Sequence, residues 1–281
     1  MSGRSFADLI ADWASRTPEI AGVALIGSQT REGVDPIAGA DAHSDWDFHV
    51  ITSRPAMFAD RAWTKALGVG EPRVYAARDG IVGRVTRVTA IFSEAEADFV
   101  VLPAGRMRLA RLAVALGLHH RSRGLRRMLG DLSIVTRPGY RFLHGAGAWE
   151  AFYRRVIAEV ADPRMEDEMA IRRAELFVAD YVVVRRKLLR GELIAAQRVL
   201  HRALAEINFQ LLHELRLRRG ERSFPDVRRA ERVVPAGELS AITVAALPTA
   251  EALSAALDKS AATCRELMRG LVGERWRWPE L

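Results

Sequence analysis

Two short apolar runs constrain the first half of this chain more than any other feature. Val23-Ala24-Leu25-Ile26 leads into Gly27-Ser28, and Phe48-His49-Val50-Ile51 follows directly on Ser44-Asp45-Trp46-Asp47. Short runs bounded by turn residues read as strands. At a strand's two-residue period, Asp45 and Asp47 fall on one face while Trp46 and Phe48 take the other. Two hard oxygen ligands on one face, at that spacing, suit Mg²⁺.

Gly27 lets a backbone come close to a phosphate. Ser28, at the expected start of a short helix, adds a hydroxyl and amide donors for the same group. Arg31 lies about one helical turn further on and can make a charge-assisted contact. Phosphoryl and nucleotidyl transfer ask little covalent chemistry of a protein, but they need metal ions to neutralise a triphosphate and align the reacting oxygens. These pieces converge on a metal-bound nucleoside triphosphate. Downstream, Arg84 to Phe92 alternates as a half-buried strand does, and Ala97 to Leu102 reads as its antiparallel partner across a Ser93-Glu94-Ala95-Glu96 turn, with Asp98 at its start.

Gly27-Ser28, an insert from Gln29 to Ser44, and Asp45-Trp46-Asp47 running into apolar residues resemble the DNA polymerase beta-type nucleotidyltransferase superfamily. Within it they are most similar to the aminoglycoside 6-adenylyltransferase (streptomycin adenylyltransferase) group. In the more distant kanamycin nucleotidyltransferases a Ser and an Arg three residues later touch the triphosphate, as Ser28 and Arg31 are placed to do here. Arg137 to Leu143 is similar to a loop that closes the catalytic domain of 6-adenylyltransferases.

The resemblance implies Mg²⁺ held by Asp45, Asp47 and Asp98, with Asp98 the remaining ligand or the general base. It implies ATP as nucleotide substrate, gripped by Gly27, Ser28 and Arg31, and adenylate transfer to a hydroxyl of a small acceptor. The favoured acceptor is aminoglycoside-like, an antibiotic-resistance activity. It also implies a cation from the helical domain that reaches the triphosphate: Lys187, with Arg185 and Arg186 equally available. The insert is longer than in most members, which leaves the nucleotide preference open. So are two other functions: transfer to a macromolecule such as tRNA or protein, and a regulatory module that binds nucleotide without turnover.

With 281 residues, 49% of them hydrophobic, the chain can bury two cores. The expected fold is α+β. Residues 1–146 form a catalytic domain with a mixed β-sheet flanked by helices, and residues 147–281 form a helical bundle. Expected helices in the first part run from Phe6 to Ser15, from Ala56 to Leu67, and onward from Pro103 with Met107, Leu109, Leu112 and Leu116 at helical spacing. Thr136 to Gly147, rich in glycine, reads as the connection between domains. Bundle helices are expected over Trp149–Val160, Glu166–Leu189, Leu193–Leu217 and Thr249–Leu271. If the bundle binds a cationic acceptor, the acids Asp162, Glu166, Asp167, Glu168, Glu175 and Asp180 are where to look. Macrodipole stabilisation and pairing with neighbours such as Arg172 and Arg173 weigh more heavily.

A single cysteine, Cys264, excludes an intramolecular disulfide framework and a cysteine zinc cluster. No signal peptide is evident at the start and no apolar run reaches the roughly 18 residues a membrane span needs, so the expectation is a soluble cytoplasmic protein. A formal charge of +7 and a pI near 10.2 invite a nucleic-acid partner. Only Lys65, Lys187 and Lys259 are lysines, however, and an arginine- and alanine-rich composition follows from a GC-rich genome. The densest basic cluster, Arg121 to Arg127, has no interleaved aromatics for base stacking. Nucleic acid is therefore not favoured, and the oligomeric state stays open. His43 and His49 read as packed or solvent-bonded, and His119-His120 has no partner set in the sequence resembling a zinc site.

Overall fold

A computed structural model describes residues 5–31, 33, 35–79 and 85–280. They divide into two compact units, Met1–Pro163 and Arg164–Leu281.

In the first unit, helix α1 (Phe6–Arg16) starts at a reciprocal cap. The Ser5 hydroxyl accepts the Asp8 N–H at 3.2 Å, and the Asp8 carboxylate accepts the Ser5 N–H at 2.9 Å. Strands β1 (Ile20–Ile26), β2 (Trp46–Thr52), β3 (Val74–Asp79), β4 (Thr86–Ile91) and β5 (Glu96–Pro103) follow. Helices α2 (Ala104–Ala115) and α3 (Arg123–Thr136), strand β6 (Tyr140–His144) and helix α4 (Ala146–Glu159) complete it. The six strands form one mixed sheet in the order β3-β4-β5-β2-β1-β6. Of its pairings only β2 with β5 is parallel. The strand expected from Arg84 thus begins at Thr86, Arg84 lying outside the described residues. Its hairpin with β5 forms as the alternation requires.

Period-two alternation gives the sheet two apolar faces. Phe48 and Val50 of β2 pack with Ile10 and Trp13 of α1 and with Phe58 and Trp63 on one face. Ile51 of β2 and Ala24 of β1 pack with Trp149, Phe152, Tyr153 and Val156 of α4 on the other. Each buried aromatic contributes roughly 2–3 kcal/mol by its removal from water.

Two local expectations are corrected. The helix expected over Ala56–Leu67 is two 3₁₀ turns, Pro55–Phe58 and Ala62–Leu67. The Asp60 carboxylate accepts the Ala62 N–H at 2.7 Å between them, an Asx-type turn that competes with a continuous helix. Thr136–Gly147 is not a bare connection: Tyr140–His144 pairs antiparallel with β1 as an edge strand, putting Tyr140 and Phe142 against the α4 core and Leu143 against the α1 core. On α2 the buried stripe is Met107, Ala110 and Val114, while Leu109, Leu112 and Leu116 are exposed. The first unit also runs past residue 146 to Pro163, because α4 belongs to the sheet's core. Gly145 turns into it at φ 74, where a Cβ would lie 2.4 Å from the Ala21 carbonyl.

The second unit is helical: α5 (Asp167–Leu189), α6 (Leu193–Val199), a π-helical turn (Leu200–Leu204), α7 (Ala205–Arg218), the short α8 (Ala230–Val233) and α9 (Ala236–Ile242), and α10 (Ala250–Val272). The expected helix Leu193–Leu217 is thus one rod with a π-turn inside. Its core joins Phe177 and Val184 of α5, Leu200 and Leu204 of the π-turn, Leu211 of α7, and Leu257, Cys264 and Met268 of α10. Cys264 is a free thiol whose pKa burial pushes up to about 12, so it packs as a small hydrophobe. Among the described residues no helix is long and apolar enough to cross a membrane.

Candidate active site

Strand register builds the site. Ile26, the last residue of β1, pairs with Asp47 of β2. Asp47 pairs in parallel with Asp98 of β5, and Asp98 pairs with Thr89 of β4. Partners in register share a face, and adjacent strands run about 4.7–4.9 Å apart, so Asp47 and Asp98 stand side by side. Asp45, two residues before Asp47, joins the same face. Carboxylate oxygens of Asp45, Asp47 and Asp98 all lie within 4.8 Å of one another, and all three side chains are half-buried.

The β1 turn closes on this cluster. Gly27 has φ 75, and a Cβ there would sit 2.2 Å from Asp47 Oδ2. Glycine is required twice over, once by the left-handed backbone and once by the carboxylate that occupies the space a side chain would need. Ser28 is buried next to it and begins the 3₁₀ turn Ser28–Arg31. The Thr30 hydroxyl donates back to the Gly27 carbonyl at 2.8 Å, and Gln29 Nε2 donates to the Ser44 and Asp45 carbonyls at 3.5 and 3.4 Å. The turn, the far end of the insert and the start of the acidic strand are thus held together.

Arg31 Nε donates to the Ala38 carbonyl at 3.0 Å, and the Asp35 carboxylate accepts the N–H groups of Ile37 and Ala38 at 2.9 and 3.0 Å. Arg31 therefore organises the insert as well as standing at the turn. Lys187 lies in the second unit, where Nζ meets Glu192 Oε2 at 2.9 Å.

Two residues join the site that pattern reading alone passed over. The Thr89 hydroxyl donates to Asp98 Oδ1 at 2.5 Å, and Arg78 Nη2 donates to Thr89 Oγ1 at 3.0 Å. The signal was present in the β4–β5 hairpin, whose register sets Thr89 opposite Asp98. His49 continues the face of Asp45 and Asp47 inward and is buried, with Nδ1 3.2 Å from the Tyr153 hydroxyl. Burial lowers its pKa to about 4 and raises that of Tyr153, so His49 is a neutral packed ring behind the carboxylates.

Three of the six acids expected to meet a cationic acceptor are engaged. Asp162 meets Arg137 at 2.8 Å and accepts from Ser133. Asp167 pairs with Arg218 at 2.8 Å and with Arg275, and Glu168 pairs with Arg275 at 3.0 Å. Hydrogen bonds from Arg218 first, then its charge and that of Arg275, hold the Asp167 carboxyl below its usual range. Within the basic cluster, Arg126 donates to the carbonyls of His119 and His120 at 3.3 and 2.8 Å, a structural use of one of its charges.

The sequence matches no protein-family model and no curated protein. Among solved structures, the chain is similar to an aminoglycoside 6-adenyltransferase from Bacillus subtilis, at 11% identity and a TM-score of 0.41, over 98% of this chain and 94% of that one. It is also similar to a nucleotidyltransferase-like protein from Exiguobacterium sibiricum, at 12% identity and a TM-score of 0.37, over 95% of this chain and 74% of that one.

Proposed function

We propose that the chain is a Mg²⁺-dependent nucleotidyltransferase that moves a nucleoside monophosphate onto a hydroxyl group of a small acceptor. The observation that carries this reading is the convergence of Asp45, Asp47 and Asp98 within 4.8 Å beside a turn where Gly27 leaves room for nothing but its own backbone. Three carboxylates so close form a ready set of cation ligands, and an all-oxygen donor set selects a hard cation.

Asp45, Asp47 and Asp98 would hold Mg²⁺, which when bound neutralises the triphosphate and favours an in-line displacement. Gly27, Ser28 and Arg31 take the phosphates, Ser28 by its hydroxyl and Arg31 by its charge. Thr89 holds Asp98 Oδ1, leaving Oδ2 to draw the proton from the acceptor hydroxyl. The acceptor oxygen bonds to the α-phosphorus as the bond to the bridging oxygen breaks, and pyrophosphate leaves. His49, neutral and packed, takes no proton in this scheme.

ATP as donor and an aminoglycoside-like acceptor follow from the resemblance of Gly27-Ser28 and Asp45-Trp46-Asp47. The test is pyrophosphate release with each of four ribonucleotides and Mg²⁺, against an aminoglycoside panel and total RNA, with mass analysis of the products. Acceptor-dependent release with ATP and a nucleotidylated aminoglycoside is the expected result. Release only with RNA would move the acceptor to a macromolecule, and nucleotide binding without release under every pairing would replace the enzyme with a binding module.

A further inference from the structure

A second cluster of metal-ligating side chains lies elsewhere in the first unit, and it does not depend on the nucleotidyltransferase reading. The turn from α2 to α3 passes through Gly117, at φ 69, into a 3₁₀ turn, Leu118–His120. There it presents two consecutive imidazoles to Glu159, the last residue of α4. His119 Nε2 lies 2.9 Å from Glu159 Oε2, and His120 Nε2 lies 3.7 Å from the same oxygen. The two rings are 3.9 Å apart, centroid to centroid.

His119 is 1% exposed, with Nε2 set against Glu159 Oε2 and with Nδ1 lacking a hydrogen-bond partner among the described residues. A buried imidazole nitrogen left unsatisfied costs free energy. His119 Nε2 approaches Glu159 Oε2 as closely as two ligands of one ion would. For bonds of about 2.0–2.1 Å, an N···O separation of about 2.9 Å corresponds to a right angle at the metal and about 3.4 Å to a tetrahedral one, so the two separations from Glu159 Oε2 lie on either side of the tetrahedral value.

The surroundings fix the ligands. Arg155 Nε holds Glu159 Oε1 at 2.7 Å, leaving Oε2 for the imidazoles. Arg126 holds the His119 and His120 carbonyls, which sets the backbone of the turn. Such outer partners orient ligands in metal centres. Two imidazoles and one carboxylate suit a borderline transition metal and not Mg²⁺.

We propose that His119, His120 and Glu159 bind one Zn²⁺ ion, which clamps the α2–α3 turn to the C-terminal end of α4. His120 and Glu159 face solvent, which gives the ion an entry path and leaves its fourth position to water.

The test uses untagged full-length protein, stripped with chelator and titrated with Zn²⁺ against a chromophoric competitor in excess Mg²⁺, with Co²⁺ absorption as an independent signal. One equivalent of Zn²⁺ should bind under these conditions. His120→Ala and Glu159→Gln should each weaken it by at least about tenfold and abolish the visible Co²⁺ band, whereas Asp45→Asn should change neither. His120 is exposed, so its variant should fold, which circular dichroism would verify. Absence of stoichiometric uptake, or a loss below tenfold in both variants, overturns the proposal.

Discussion

The acid Glu214 of the helical unit and the acids Asp45, Asp47 and Asp98 of the sheet unit are used in opposite ways. In the helical unit the acid faces arginines. Glu214 accepts from Arg164 at 2.9 and 3.2 Å, from Arg218 at 3.0 Å and from the Met165 N–H at 3.0 Å, while the buried Arg216 meets Glu221 and Glu238 at 2.9 and 2.7 Å. In the sheet unit, Asp45, Asp47 and Asp98 face one another, and the partner of Asp98 across the hairpin is a neutral hydroxyl. Paired acids are locks: burial raises the Glu214 carboxyl, but the hydrogen bonds from Arg164, Met165 and Arg218 outweigh it and hold the group below its usual range. Facing acids make an all-oxygen donor set for a hard cation.

The sharpest way to break the comparison is to neutralise one acid of each kind. Asp47→Asn should lower nucleotidyl transfer by about 10³-fold, because a group acting on charge that develops in the transition state is lost. The readout is single-turnover kinetics at saturating Mg²⁺, and retention of wild-type rate would remove Asp47 from the mechanism. Asp45→Asn, made in metal-free protein, should leave the melting temperature unchanged or raised. Glu214→Gln should do the reverse: urea unfolding should show a loss of about 3 kcal/mol, because two arginines lose their buried partner, with no Mg²⁺-dependent component.

The next effect concerns pH. His49 has a folded pKa of about 4 against about 6.5 in an unfolded chain, so between those values the unfolded state binds the extra proton. Stability should therefore be intact above pH 6.5 and fall as pH drops toward 4, by up to about 3 kcal/mol from this group. His49→Gln should flatten that part of the profile. A profile identical to wild type would mean that His49 is not the neutral partner of Tyr153.

Much of this was legible in the sequence because it rests on the two-residue period of strands. That period alone set Asp45 and Asp47 on one face and Trp46 and Phe48 in the opposing core, and the turn after Phe92 set Asp98 on the paired strand. What stayed hidden depends on closure in space. Tyr140–His144 is too short, and follows too closely on Pro138 and Gly139, to announce a strand, yet it caps the sheet edge and carries the first unit through α4. On α2, spacing identified a helix but not its inner side, since Met107, Ala110 and Val114 face the core while the larger Leu109 and Leu112 do not. Glu159 completes the set with His119 and His120 only because α4 returns past the α2–α3 turn.

The last two predictions sharpen the comparison inside the acidic site. Gly27→Ala forces a side chain into the space of Asp47 Oδ2 at a left-handed backbone position, so the carboxylate must move. A displacement near 1 Å should lower turnover by about 10²-fold with the fold retained by circular dichroism. Thr89→Val should act more gently. Removing the hydroxyl leaves Asp98 Oδ1 without its donor and frees the carboxylate to rotate, and one hydrogen bond to a charged group corresponds to about a tenfold fall in kcat. Thr89→Ser restores the donor on a smaller side chain and should recover most of the rate. If serine and valine behave alike, the hydroxyl only fills space, and the orientation of Asp98 comes from the register of β4 and β5 alone.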